Sequence, residues 1–131
     1  MPAHAVLITL LTVLLIMVAM QLVASARGKY QVKAPATSGP VEFERAFRAH
    51  QNTLEATVMF LPALWIATTW SEPTWTAALG YAWLLGRAWY LHGYVFRAGK
   101  RGGGFMLAFL ANVALLLLGL DRKSTRLNSS H

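Results

Sequence analysis

The stretch FERAFRAHQNTLEATVMF, Phe43 to Phe60, begins with charged residues and passes into an apolar run that continues to Trp70. The apolar part alone is too short to cross a hydrocarbon core of ~30 Å at ~1.5 Å of rise per residue. A spanning helix must therefore include some of the polar start. We predict one long helix over residues 42–70, which carries ionic and amide side chains into membrane depth.

The composition of the whole chain agrees with a membrane protein. Of the 131 residues, 56% are hydrophobic and only 13% are charged, whereas a soluble domain has about 25% charged residues. The apolar residues also come in long blocks. We therefore predict an all-α membrane protein with a bundle of four transmembrane helices.

Four apolar blocks define the predicted spans, at about 5–26, 42–70, 75–97 and 105–120, in a single membrane domain over 1–120. The first block is too long for the apolar region of a signal peptide, and no Lys or Arg precedes it, so we expect a retained span. The last residues, DRKSTRLNSSH at 121–131, lack apolar periodicity. We expect this tail to be disordered or non-native.

The basic residues predict the orientation. Lys and Arg occur three times after span one and three times after span three, but not between spans two and three (Arg27, Lys29, Lys33; Arg97, Lys100, Arg101). Cytoplasmic loops are enriched in Lys and Arg, so both basic loops are predicted to be cytoplasmic. The net charge of +7 accompanies no basic reader helix, so nucleic acid is not an expected partner.

The chain contains no cysteine, so any thiol chemistry must use a thiol brought by a substrate. Its histidines have no metal-ligand spacing, and no metal site is expected.

On the second helix, Arg48, Asn52 and Glu55 fall within a ~60° stripe at 100° per residue. An internal Arg48–Glu55 ion pair is the simplest structural reading of this stripe. The third helix, if it continues to residue 101, carries a second stripe of cations and phenols (Arg87, Tyr90, Tyr94, Arg97, Arg101). Snorkelling arginines and interfacial tyrosines are the simplest reading there.

Together the two stripes suit a ligand with two carboxylates and one ammonium. Arginine forks bind carboxylates in a bidentate way, and Glu55 can bind the ammonium. Charged groups at membrane depth are costly and usually mark a functional site.

The segments EFERAFRAHQNTLE, LPALW and GRAWYLHGYVFRAGKR resemble the MAPEG family, the membrane-associated proteins in eicosanoid and glutathione metabolism. They are most similar to the branch of leukotriene C synthase, the microsomal glutathione transferases and their bacterial relatives. The resemblance implies a homotrimer in the bacterial inner membrane, with glutathione bound as co-substrate between subunits on the cytoplasmic side. It also implies a lipophilic electrophile or lipid hydroperoxide as the second substrate.

The resemblance also assigns the site residues. It implies that six positions bind glutathione (Arg27, Arg48, Asn52, Glu55, Tyr90, Tyr94), and that Arg101 is catalytic and stabilises the glutathione thiolate. The chain departs from the family pattern at Gly28, His50 and Ala56. The lipid specificity of the animal synthases is therefore not carried over.

Two other functions fit part of the pattern. A non-catalytic lipid-binding or scaffold protein of the same fold would not need Arg101 and the two tyrosines. A small four-span multidrug transporter would use Glu55 as its proton-coupling carboxylate, although Glu55 lies beside Arg48 and not alone at the midplane.

Overall fold

Four α-helices make up the structure, a computed structural model that describes residues 2–97 and 102–129, with side chains described as far as residue 121. In chain order they are α1 (Ala3–Tyr30), α2 (Val41–Trp70), α3 (Pro73–Phe96) and α4 (Gly102–Ser129). The prediction of an all-α chain with four helices is confirmed.

Two of the helices are long and apolar enough to cross a membrane, namely α1 and the Gly102–Asp121 part of α4. The other two, α2 and α3, carry more polar side chains, and their role as spans stays a prediction. The exposed apolar surface of these two helices supports that prediction. Large apolar side chains on α2 and α3 are half exposed or more, as at Val58, Ile66, Leu85 and Trp89, which suits contact with acyl chains better than with water.

The first and the last helix both end later than the predicted limits. Helix α1 runs to Tyr30, because Gly28 alone does not stop it, and it ends at Gln31 in the left-handed conformation (φ 54°). Helix α4 runs to Ser129, beyond the predicted limit at residue 120, and the origin of the tail as native or non-native stays a prediction. That segment has neither proline nor glycine, so nothing in it interrupts propagation of the helix from Leu120.

Helices α2 and α3 each pack against the other three helices, whereas α1 and α4 do not pack against each other within the described residues. One layer of the core joins α2 to α3 through Phe60 and Trp83. Their rings are parallel, with centroids 3.8 Å apart, and both side chains are buried.

Helices α3 and α4 form the most extensive pair, and their backbones meet at glycines. A Cβ atom on Gly104 would lie 2.6 Å from the carbonyl oxygen of Gly86, and one on Gly86 would lie 2.7 Å from the backbone nitrogen of Ala108. Small residues permit such close approach of helices in membranes. This contact fixes the start of α4 against the part of α3 that bears Arg87 and Tyr90.

Candidate functional site

The polar stripe of α2 lines an open groove. Arg48, Asn52 and Glu55 are exposed, and with Thr37, Phe47 and Gln51 they enclose about 370 Å³. The three side chains thus share the face that helical geometry predicts. No ion pair joins Arg48 to Glu55 in the described part of the chain, so the simplest structural reading of the stripe does not hold. Both charges remain available to a ligand.

The floor of this groove is joined to α3 through Tyr90. The Nδ2 atom of Asn52 donates a hydrogen bond of 2.8 Å to the phenol oxygen of Tyr90. Tyr90 is 3% exposed, and its ring meets that of Tyr94 edge to face at a centroid distance of 5.6 Å. The structure therefore brings Tyr90 to the α2 stripe, with Tyr94 buried behind it.

Arg87 lies elsewhere than its place in the predicted stripe suggests. It is 3% exposed, its Nη2 atom donates to Thr53 Oγ1 over 3.0 Å, and its Cζ atom lies 3.9 Å from the centroid of the Tyr90 ring. Arg87 therefore does not line the polar groove, but it does line an apolar cavity between α2, α3 and α4. Helix α3 is rotated so that this side chain points into the contact with α2.

Arg27 holds the loop that follows α1. Its Nη1 atom donates to the carbonyl oxygens of Val32, over 3.3 Å, and of Ala36, over 2.8 Å. Its guanidinium also lies over the Phe43 ring at 5.1 Å. Arg27 does not line the groove of its own chain, and within one protomer it orders the connection between α1 and α2.

The cationic end of α3 is separate from the groove. Arg97 is exposed and lines a different cleft of about 590 Å³ together with Trp89, His92 and Gly93. Arg101, the residue predicted to be catalytic, lies outside the described residues. The predicted stripe of α3 is therefore divided, with the tyrosines turned toward α2 and Arg97 turned away.

An apolar cavity adjoins the polar groove, and the sequence did not predict it. It encloses about 510 Å³ between α2, α3 and α4 and is lined mainly by apolar side chains, among them Met59, Trp83 and Phe109. Ala56 lines this cavity, and its chain neighbour Glu55 lines the groove. The small side chain of Ala56 was the one sequence feature that could have indicated the cavity, because a larger residue would occupy part of this space.

Among the described residues, no group of acidic, histidine or cysteine side chains is arranged to hold a metal ion. The chemistry available at the groove is recognition by charge and hydrogen bonding, next to an apolar compartment. Such an arrangement accommodates a small polar, zwitterionic ligand beside an apolar one.

Comparison with known proteins places this arrangement in a family. The model of the MAPEG family matches residues 5–120, which is nearly the entire bundle. The chain belongs to the MAPEG family. As a MAPEG protein it is membrane-associated, in agreement with the two helices able to cross a bilayer.

Individual relatives refine this MAPEG assignment. An uncharacterized protein of Synechocystis sp. is 45% identical over 85% of this chain and 81% of its own length. Human microsomal glutathione S-transferase 2 is 41% identical over 74% of this chain and 66% of its own length. Rat leukotriene C4 synthase is 42% identical over 72% and 63%. The match thus spans somewhat less than two thirds of these two animal proteins, and supports a glutathione-related transferase function at the level of the family.

Proposed function

We propose that this MAPEG member is a membrane-bound glutathione transferase that joins the sulfur of glutathione to lipophilic electrophiles. The observation that carries the proposal is the groove of α2, where Arg48, Asn52 and Glu55 are held together with no internal ion pair between the two charged residues. The names of the animal relatives, a glutathione transferase and a leukotriene synthase, support the same substrate.

Glutathione has the charges that this groove would complement. It carries two carboxylates and one ammonium, joined by two amide bonds. The guanidinium of Arg48 would bind a carboxylate in bidentate fashion, and the carboxylate of Glu55 would bind the ammonium. Asn52, which uses one amide hydrogen on Tyr90, keeps its carbonyl oxygen for a peptide N–H of the ligand.

The chemical step needs the thiol as its anion. A free thiol has a pKa near 8.5, so only a few per cent is ionised at neutral pH. A guanidinium close to sulfur in a partly dry site favours the thiolate, and we assign this role to Arg101 on the resemblance of RAGKR to the family motif. The thiolate lone pair forms the C–S bond while the bond from carbon to the leaving group breaks, and that group departs with the bonding electrons and takes up the proton.

The apolar cavity beside the groove would hold the body of the electrophile. Its lining by Met59, Trp83 and Phe109 favours molecules that partition into the bilayer. A lipid hydroperoxide is a second substrate of the same chemistry. The thiolate attacks the terminal peroxide oxygen and the O–O bond breaks, which leaves a sulfenic acid on glutathione and an alkoxide that takes up a proton to give the alcohol. A second glutathione thiol then attacks the sulfenic sulfur, and the disulfide forms with release of water.

The assembly is proposed to be a homotrimer in the bacterial inner membrane, with the site at the boundary of two subunits and open to the cytoplasm. The exposed rim of the groove supports this, because Arg48 and Glu55 have room for contributions from a neighbouring chain. Light scattering of the detergent-solubilised protein tests the trimer, and a monomeric mass with full activity would contradict it.

The decisive experiment follows thiolate absorbance when glutathione is added to the purified protein. We expect a thiolate signal in the wild type, its loss in Arg101→Ala, and partial retention in Arg101→Lys. Lys33→Ala, which removes an exposed cation from the α1–α2 loop, is the matched control and should keep the signal. Absence of thiolate in the wild type would contradict the transferase, whereas an unchanged signal in Arg101→Ala would contradict only the role of Arg101.

The apolar cavity also favours a second candidate, a non-catalytic lipid-binding member of the fold. Such a protein would bind a lipophilic probe without any dependence on glutathione, and Arg48→Ala would leave that binding unchanged. Conjugate formation by the wild type, detected by mass spectrometry, would exclude it. The transporter alternative has less support, because Glu55 lies in an exposed groove with Arg48 and not alone in the core.

A further inference from the structure

Arg87 is the one buried charged side chain in the core of the described residues. Its Nη2 atom donates to the neutral hydroxyl of Thr53, and its Nε atom is buried with no hydrogen-bond partner. A buried cation without a counter-ion is costly, and an apolar side chain of similar size would avoid that cost. Within a membrane protein such a residue is expected to serve the function.

The surroundings of Arg87 point to what it does. Its guanidinium lies on one side of the Tyr90 ring, 3.9 Å from the centroid, and Tyr94 meets the same ring edge to face. Both contacts restrict the ring, and the guanidinium contact is a cation–π interaction, which strengthens when water is excluded. The phenol oxygen of Tyr90 is thereby held in one position.

Two hydrogen bonds then connect α3 to consecutive residues of α2. Arg87 donates to Thr53, and Tyr90, one helical turn later, accepts from Asn52. Thr53 is fully buried, whereas Asn52 reaches the groove. A change at Arg87 would therefore alter the orientation of the Tyr90 ring. Through the hydrogen bond between Tyr90 and Asn52, it would also alter the orientation of the Asn52 amide at the groove.

We propose that Arg87 is a positioning residue for the glutathione site, which holds the Tyr90 phenol so that the Asn52 carbonyl oxygen faces the ligand. This role rests on the proposed function and deepens it. Arg87 would not touch glutathione itself, since it is buried and lines the neighbouring apolar cavity, not the groove. Its effect should therefore be on affinity for glutathione, and it should disappear when Tyr90 can no longer bond to Asn52.

The first test uses calorimetric binding of glutathione to the detergent-solubilised protein. We expect Arg87→Met to raise the dissociation constant by about two- to tenfold, the effect of one oriented hydrogen bond. Arg87→Lys, which keeps the positive charge but not the planar guanidinium, should recover part of the lost affinity. The double variant Arg87→Met with Tyr90→Phe should bind no more weakly than the weaker single variant, because both changes remove the same interaction. Additive losses would overturn the proposal.

A second set of variants separates positioning from damage to the core. Thr53→Val removes the acceptor for Arg87 at nearly constant volume and should also weaken glutathione binding. Thr76→Val is the matched control, since Thr76 is likewise buried and bonds only within the first turn of α3, to Pro73. It should lower thermal stability without changing affinity. Equal affinity losses in both threonine variants would overturn the proposal, and this pair is informative even if Arg87→Met does not fold.

A spectroscopic measurement follows the ring directly. With 3-fluorotyrosine at position 90, the wild type should give a fluorine resonance broadened or split by slow ring flips, and Arg87→Met a single narrow one. Identical spectra would overturn the proposal even where binding is intact. Failure of the wild type to bind glutathione would overturn the proposed function itself. Binding by the wild type is therefore measured before any variant is compared.

Discussion

Asn52 and Tyr90 form a hydrogen bond of 2.8 Å between α2 and α3, and it joins the polar groove to the buried aromatic side chains beneath it. Asn52 is exposed at its outer end, whereas Tyr90 is 3% exposed. The ligand-facing amide is thus oriented from inside the bundle. Such second-layer support is what a preorganised binding site requires.

Loss of the Tyr90 phenol should therefore act on glutathione binding more than on folding. Tyr90→Phe keeps the ring between Arg87 and Tyr94 but removes the acceptor for Asn52, and we expect KM for glutathione to rise by about two- to tenfold. Steady-state kinetics at varied glutathione and a thermal melt of the same sample measure this. A large fall in melting temperature with unchanged KM would show that the bond is structural only.

Removal of the Arg48 guanidinium should weaken glutathione binding strongly. A charge-assisted hydrogen bond contributes about 1.5–3 kcal/mol, so Arg48→Ala should raise the dissociation constant by roughly 10- to 100-fold. Arg48→Lys should recover only part of the lost affinity, because an ammonium cannot form the bidentate pair with a carboxylate. Arg45→Ala, which removes a guanidinium from the same helix at a position that does not line the groove, is the control, and calorimetry gives the comparison. An equal effect of both alanine variants would contradict the carboxylate-binding role.

The glycine contact between α3 and α4 should be intolerant of a single methyl group. Gly104→Ala would place its Cβ against the backbone of Gly86 and Tyr90, and overpacking of this kind costs about 1–3 kcal/mol. Thermal unfolding in detergent should show a clear loss of stability.

Gly102→Ala is the matched control for that contact. No described atom from another part of the fold lies within 4 Å of the added Cβ, and alanine is the better helix former. We expect the melting temperature to stay the same or rise. A similar loss in both glycine variants would mean that the close approach of α3 to α4 does not determine stability.

The size of residue 56 should select the electrophile. Ala56 is partly buried and lines the cavity of about 510 Å³, so Ala56→Phe would fill part of that volume. We expect kcat/KM to fall for bulky apolar electrophiles while small ones and the KM for glutathione are little affected. Competition assays with a homologous series of electrophiles measure this ratio.

Leu54→Phe provides the comparison, because Leu54 is 42% exposed and does not line the cavity. It adds a ring to the same helix outside the proposed site. The same change of selectivity in both variants would contradict the assignment of the cavity to the electrophile.

Much of the fold and part of the site could be predicted from residue order. Apolar block length predicted four helices, and the 100° rotation per residue put Arg48, Asn52 and Glu55 on one face. The helix ends were less accurate. The polar tail was predicted to be disordered or non-native. The structure continues α4 to Ser129, because the absence of apolar periodicity does not by itself stop a helix.

The sequence by itself determined the helical class of the protein, the family motif, and the angles between side chains on one helix, since these depend only on local geometry. The rotation of each helix against its neighbours was decided by tertiary packing. That packing turned Arg87 inward to Thr53 and Tyr90, occupied Arg27 with loop carbonyls, and opened an apolar cavity beside Ala56. The physical reason is that periodicity fixes which residues share a face, whereas close packing between helices fixes what that face meets.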